Sequence, residues 1–161
     1  MEPGSTSKTS PQTGVKTAAT AAEPTVSYVV GRLELAVRRS LGEGLASLGV
    51  TLPQYTALSV LKRRGALSNA QLARRVMITP QSTIKVIAAL ERKGLITRAP
   101  DPDHGRILRT LITPRGQEVL DACDRVAAEM ESRMLEEIPL TVRDEFLTQL
   151  KSCVRMLGAG L

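Results

Sequence analysis

Aromatic side chains are almost missing: Tyr28, Tyr55 and Phe146 are the whole complement of a 161-residue chain, and there is no tryptophan. Packing must then come from Leu, Ile, Val, Ala and Met, which favours helices over a β-sandwich. Histidine occurs once, at His104, and cysteine twice, at Cys123 and Cys153. No two of these have the spacing of a zinc site, so no metal is expected. There is no Gly-rich phosphate loop, and a lone histidine without a nucleophile is a poor catalytic set. The expectation is a protein that is not an enzyme and has no cofactor. No apolar run approaches the roughly 20 residues of a membrane span. No basic segment leads into an apolar one as in a secretory signal. A cytoplasmic, reduced chain of about one domain is expected. Both cysteines fall on apolar helical stripes, which predicts buried structural thiols, with redox sensing as the alternative.

What is present is positive charge in one place. Residues 62–115 hold twelve Lys or Arg against Glu91, Asp101 and Asp103, a local balance of +9. Residues 1–61 balance at +1 and residues 116–161 at −4. A solvated basic face is the plain reading. A surface that displaces counterions from nucleic-acid phosphates is the functional one.

Residues 1–24 are rich in Ser, Thr, Pro and Ala without apolar periodicity, which predicts a disordered tail. Thr25 then caps a helix with Val26, Val29, Val30, Leu33, Val37 and Leu41 on one stripe, its end weakened by Gly42, Gly44 and Gly49. Thr51-Leu-Pro-Gln54 opens a second helix that stops at Gly65. Ser68-Asn-Ala-Gln71 is another capping box and opens a short helix to about Val76. Thr79 caps the next, with Pro80 at its first position, where a missing N–H costs nothing. Leu95–Ala99 and Ile107–Thr113 read as two strands around a polar turn. A helix of about 25 residues follows from Thr113-Pro114, with Val119, Cys123, Val126, Met130 and Met134 on its stripe. Pro139 ends it. Thr141 caps a last helix, with Phe146, Leu150, Cys153 and Leu157 inward and Gly158 closing it.

The predicted architecture is mainly α with a small β-hairpin wing. A winged helix-turn-helix over 51–115 lies between an N-terminal dimerisation helix (25–50) and C-terminal dimerisation helices (116–161). The outer helices need apolar partners, and a second copy of the chain is the expected source.

The stretch TPQSTIKVIAALERKGL, residues 79–95, carries the functional reading. At about 100° per residue, Thr83, Val86, Ile87 and Leu90 share one side. Gln81, Ser82, Lys85, Ala88, Ala89 and Arg92 share the other. Polar donors at the start, small residues in the middle and a cation further on suit a helix that enters a major groove N-terminus first. Gln81 can bond adenine N6 and N7, and Lys85 can reach guanine or a phosphate. An ordinary surface helix with a polar face is the alternative. In the hairpin, His104, Arg106 and Arg109 sit at or beside the loop, where an arginine can enter the minor groove. Arg106 could instead pair with Asp101 or Asp103.

These segments resemble the MarR-type transcriptional regulators over about residues 26–157. The carriers are LPQYTALSVL (52–61), LSNAQLARRVMITPQSTIKVIAALERKGLITR (67–98) and the wing DPDHGRILRTLITPRG (101–116). Asp101, Arg106 and Thr113-Pro-Arg-Gly116 keep the family register. His104 stands where a second Asp is usual and raises a question of pH sensitivity. Ile112 replaces a Leu, and Ile84 stands where a small polar residue is frequent. The resemblance implies a homodimer that presents two recognition helices to a palindromic double-stranded DNA operator, most often a repressor released by a small aromatic or lipophilic effector. Where that family holds its effectors, this chain has Tyr28, Arg32 and Tyr55, which otherwise read as packing residues. A winged-helix module that binds protein instead of DNA is the rival function.

Overall fold

The computed structural model describes residues 23–158 except 103, 104 and 106. The elements run α1 (Val26–Ala46), α2 (Leu52–Arg64), β1 (Leu67–Ser68), α3 (Asn69–Val76), α4 (Pro80–Arg92), β2 (Ile96–Pro100), β3 (Leu108–Ile112), α5 (Pro114–Met134) and α6 (Leu140–Met156). Small residues at the helix starts set this order. The Ser68 N–H donates to Gln71 Oε1 at 2.9 Å while the Gln71 N–H donates to Ser68 Oγ at 3.3 Å, a reciprocal capping box. Thr79 Oγ1 accepts from the Ser82 N–H at 3.1 Å, and Thr113 Oγ1 from the Gly116 N–H at 3.0 Å.

The wing is a three-stranded antiparallel sheet in the order β1-β3-β2, with Leu67 opposite Thr110 and Ile96 opposite Ile112. The two-residue β1 is absent from the sequence reading, because Leu67-Ser68 is too short for a period and Ser68 already serves as a cap. Strands β2 and β3 are shifted from the expected spans. Leu95 is held by α4, donating its N–H to Leu90 O at 3.0 Å, and Thr113 is taken up by the cap of α5.

One apolar cluster joins α2, α3, α4, the sheet and α5 around Leu58, Leu61, Leu72, Ile87, Leu90 and Leu120, each at most 1 % exposed. A second joins α1 and α5 around Leu41, Leu45, Val50 and Cys123. Tyr55 and Val119 pack against both, so the long helices and the wing share one continuous interior.

Several expectations need correction. Helix α1 runs unbroken through Gly42 and Gly44 to Ala46. A Cβ on Gly44 would overlap Val126 of α5, so this glycine lets two helices approach closely. Helix α5 has 21 residues, not about 25. Helix α6 starts at Leu140 with Pro139 as its cap, so Thr141 lies inside the first turn. Its entry is held instead by Arg143, which donates to Ile138 O at 2.9 Å and Leu135 O at 2.7 Å. Phe146 and Leu150 are only half-buried, and Cys153 and Leu157 are exposed, because nothing among the described residues covers that face. Cys123 is buried as expected, whereas Cys153 is not.

Candidate nucleic-acid interface

Helix α4 is anchored by its inner side. Thr83, Ile87 and Leu90 are buried and Val86 is half-buried. Thr83 also donates its hydroxyl to Thr79 O at 3.0 Å, which fixes the first turn. On the opposite side Gln81, Ser82, Lys85 and Arg92 are exposed, with Ala88 and Ala89 half-buried between them. The Thr79 hydroxyl donates to Ser82 Oγ at 3.0 Å, which leaves the Ser82 proton free to be given to something else.

The turn before α4 is tight. Met77 closes α3 in the left-handed conformation, φ 54° and ψ 41°, unusual for a residue with a side chain. At the far end of α4, the Lys93 ammonium donates to Gly49 O at 2.5 Å and Gln54 Oε1 at 3.1 Å. That cation belongs to the scaffold: it ties the end of α4 to the start of α2. Arg98 on β2 pairs with Glu91 at 2.8 Å and joins the wing to α4.

His104 and Arg106 lie outside the described residues. Arg109 does not point freely from the wing. Its Nε donates to Asp101 Oδ2, with the Asp101 carboxylate 7 % and the Arg109 side chain 38 % exposed. An acid at the start of the loop thus orients an arginine on β3, and part of the guanidinium still faces solvent. Sequence spacing offers such a pairing for Arg106 and gives no sign of this one for Arg109.

The three expected effector residues are not brought to one groove. Tyr55 borders a groove of about 350 Å³ with Ser59, Lys62, Arg63, Leu120 and Asp124. Tyr28 and Arg32 are exposed on α1 and do not line it. The Tyr55 hydroxyl donates to Asp124 Oδ1 at 3.0 Å. Burial, and then the Asp124 carboxylate, push the Tyr55 pKa upward. Burial likewise raises the Cys123 thiol, with the Asp124 charge adding to it. Lys62 donates to Asp121 at 2.8 Å, which raises the lysine and, with Gln117 also donating, lowers the aspartate. Sequence spacing gave no sign of Lys62, Asp121 or Asp124, because each contact joins distant parts of the chain. Among the described residues no group of three His, Cys, Asp or Glu could hold a metal ion. No helix among them is long and apolar enough to cross a membrane.

Known proteins share this arrangement. The HTH-type transcriptional repressor Rv2887 of Mycobacterium tuberculosis is 29% identical over 126 residues, 78% of this chain and 91% of the relative. The crystal structure of the Mycobacterium tuberculosis MarR family protein Rv2887 with DNA superposes with a TM-score of 0.71 at 26% identity, covering 81% of this chain and 98% of that one. Its complex with salicylic acid gives 0.68 at 28% identity, over 83% and 98% of the two chains. The MarR family profile itself matches residues 48–107. That match falls on the residues that build α2, α3, α4 and the first part of the wing, and over this segment the chain is similar to the MarR family of transcriptional regulators.

Proposed function

We propose that the protein is a homodimeric transcriptional repressor that binds a palindromic double-stranded DNA operator and is released by a small aromatic or lipophilic molecule. The observation that carries this reading is the outward side of α4. Gln81, Ser82 and Lys85 stand exposed in its first turns, and the small Ala88 and Ala89 follow, so nothing bulky holds the helix away from base edges. Arg92 on α4, Arg109 on β3, and His104 and Arg106 in the loop would meet the flanking backbone and minor groove. The basic block supplies the phosphate-binding charge.

The relatives support the rest. Rv2887 is named a repressor and has been crystallised with DNA and with salicylic acid. In this chain Tyr55 borders a groove with Arg63, a cation suited to a carboxylate ligand, while Lys62 beside it is paired with Asp121. Tyr28 and Arg32 would join an effector site only through a rearrangement of α1 or a second protomer. The exposed apolar residues of α1 and α6 supply the dimer contact. Catalysis has no part in this reading, and its place is the cytoplasm, where the operator is.

Selection of bound sequences from a random duplex library at physiological salt tests the proposal. A recovered palindrome with half-sites about one helical turn apart is expected. No enrichment from a folded protein, with or without salicylate present, would overturn it.

A further inference from the structure

Ile84 is 58% exposed and Met77 84% exposed, although both are large and apolar. They are not scattered. Together with Ala70, Ala73, Arg74 and Pro80 they border one groove of about 530 Å³ between α3 and the first turns of α4. Its lining is mostly apolar, with the exposed cation Arg74 at its border, and Lys85, exposed too, follows Ile84 on α4. A wholly apolar partner would leave those cations without counter-charges, whereas a duplex offers phosphates on both sides of its major groove.

Ile84 adjoins the face that carries Gln81. Three residues separate them, about 60° around the axis and about 4.5 Å along it. A step of about that length is close to the 3.4 Å rise of stacked bases. If Gln81 meets one base pair, Ile84 meets its neighbour. The apolar group that a base pair offers in the major groove is the thymine C5-methyl. An isoleucine there has neither donor nor acceptor with which to read anything else.

Resting on the DNA-binding reading above, we propose that Ile84 is a specificity-determining residue that packs on the C5-methyl of a thymine beside the base pair reached by Gln81, once in each half-site. The contact removes one methyl group from water, and it discriminates against bases that lack that methyl.

The test starts from the selected operator. Each thymine is replaced in turn by deoxyuridine, which deletes the methyl and leaves the hydrogen-bonding edge unchanged. One thymine per half-site is expected to weaken wild-type binding about fourfold when replaced, the equivalent of one buried carbon. Ile84→Ala should bind the thymine and uracil duplexes equally, and Ile84→Val should keep part of the difference. Because Ile84 is exposed, both variants should melt where the wild type does. The inference is overturned if the wild type binds its operator specifically yet tolerates every uracil. A uracil penalty of the same size in Ile84→Ala would also overturn it. Failure to recover any operator is a different result: it removes the DNA-binding reading, and this inference with it.

Discussion

Tyr55 shows how much one residue can join. Its ring packs against both apolar clusters, and its hydroxyl donates to Asp124 across 69 positions of sequence. Burial is the largest single cause of its raised pKa, and the Asp124 carboxylate adds to it both as hydrogen-bond acceptor and as a charge. Phenolate absorbance should therefore show a tyrosine that titrates above the ordinary value near 10, and Tyr55→Phe should remove that component. Asp124→Asn should lower it only partway; a complete return to the ordinary value would show that burial is not the main cause. The sign for stability follows from the same shift. A folded-state pKa above the unfolded one means that this stabilisation is fully present below about pH 10 and is lost as pH rises through the folded value. Nothing in the sequence marks Asp124 as the partner of Tyr55, or Gly49 as the acceptor for Lys93, because local periodicity holds no information on contacts so far apart. The Asp101 and Arg109 pair was closer to view. Both residues belong to the wing, and the register of β2 on β3 is what brings Arg109 beside the acid.

Two glycines control how elements meet, and they differ in what stands opposite. A Cβ on Gly116 would run into the Leu95 carbonyl and the Ile112 side chain, so the first turn of α5 lies directly on the backbone leading into β2. The Thr113 hydroxyl locks the same corner, donating to Gly94 O at 2.8 Å. At Gly44 the obstacle is only the Val126 side chain. Gly116→Ala should therefore destabilise by about 1–3 kcal/mol or more in urea unfolding, with no side-chain deletion able to restore it. Gly44→Ala should cost a similar amount but recover in part when Val126→Ala is added. Equal rescue at both sites would show that the α5 corner is not fixed by backbone contact. Helix positions were legible in the sequence to this level because Thr51, Ser68, Thr79 and Thr113 each stand immediately before a helix, and the apolar period inside α4 places Thr83, Ile87 and Leu90 inward. The start of α6 was not legible: Thr141 competes with Pro139 as a cap, and Arg143 decides the outcome by bonding carbonyls before the helix.

At the scale of the whole molecule, the apolar stripes on the start of α1 and on α6 have the right period and little cover among the described residues. Val26 is 78% exposed, Leu140 78%, Met156 83% and Leu157 87%, and α6 has no buried residue. The sequence showed these stripes but not what faces them, since periodicity identifies a side that needs burial and cannot say whether the cover comes from the same chain. Large apolar residues exposed repeatedly along these two helices mark a surface that a partner would cover. In the homodimer proposed above, a second copy would cover it with the same residues, as a two-fold dimer requires. Such a contact ties stability to protein concentration. The wild-type melting temperature should therefore rise with concentration, and sedimentation should report a dimer. Met156→Glu combined with Leu157→Glu replaces two side chains that touch almost nothing in the protomer, so folding of a lone chain should be unaffected. In a dimer the same change puts four like charges into an apolar contact, and sedimentation should then report monomers whose operator affinity is lost together with the paired half-site contacts. If the double variant still sediments as a dimer, the end of α6 lies outside the interface and the cover for Leu157 must come from elsewhere.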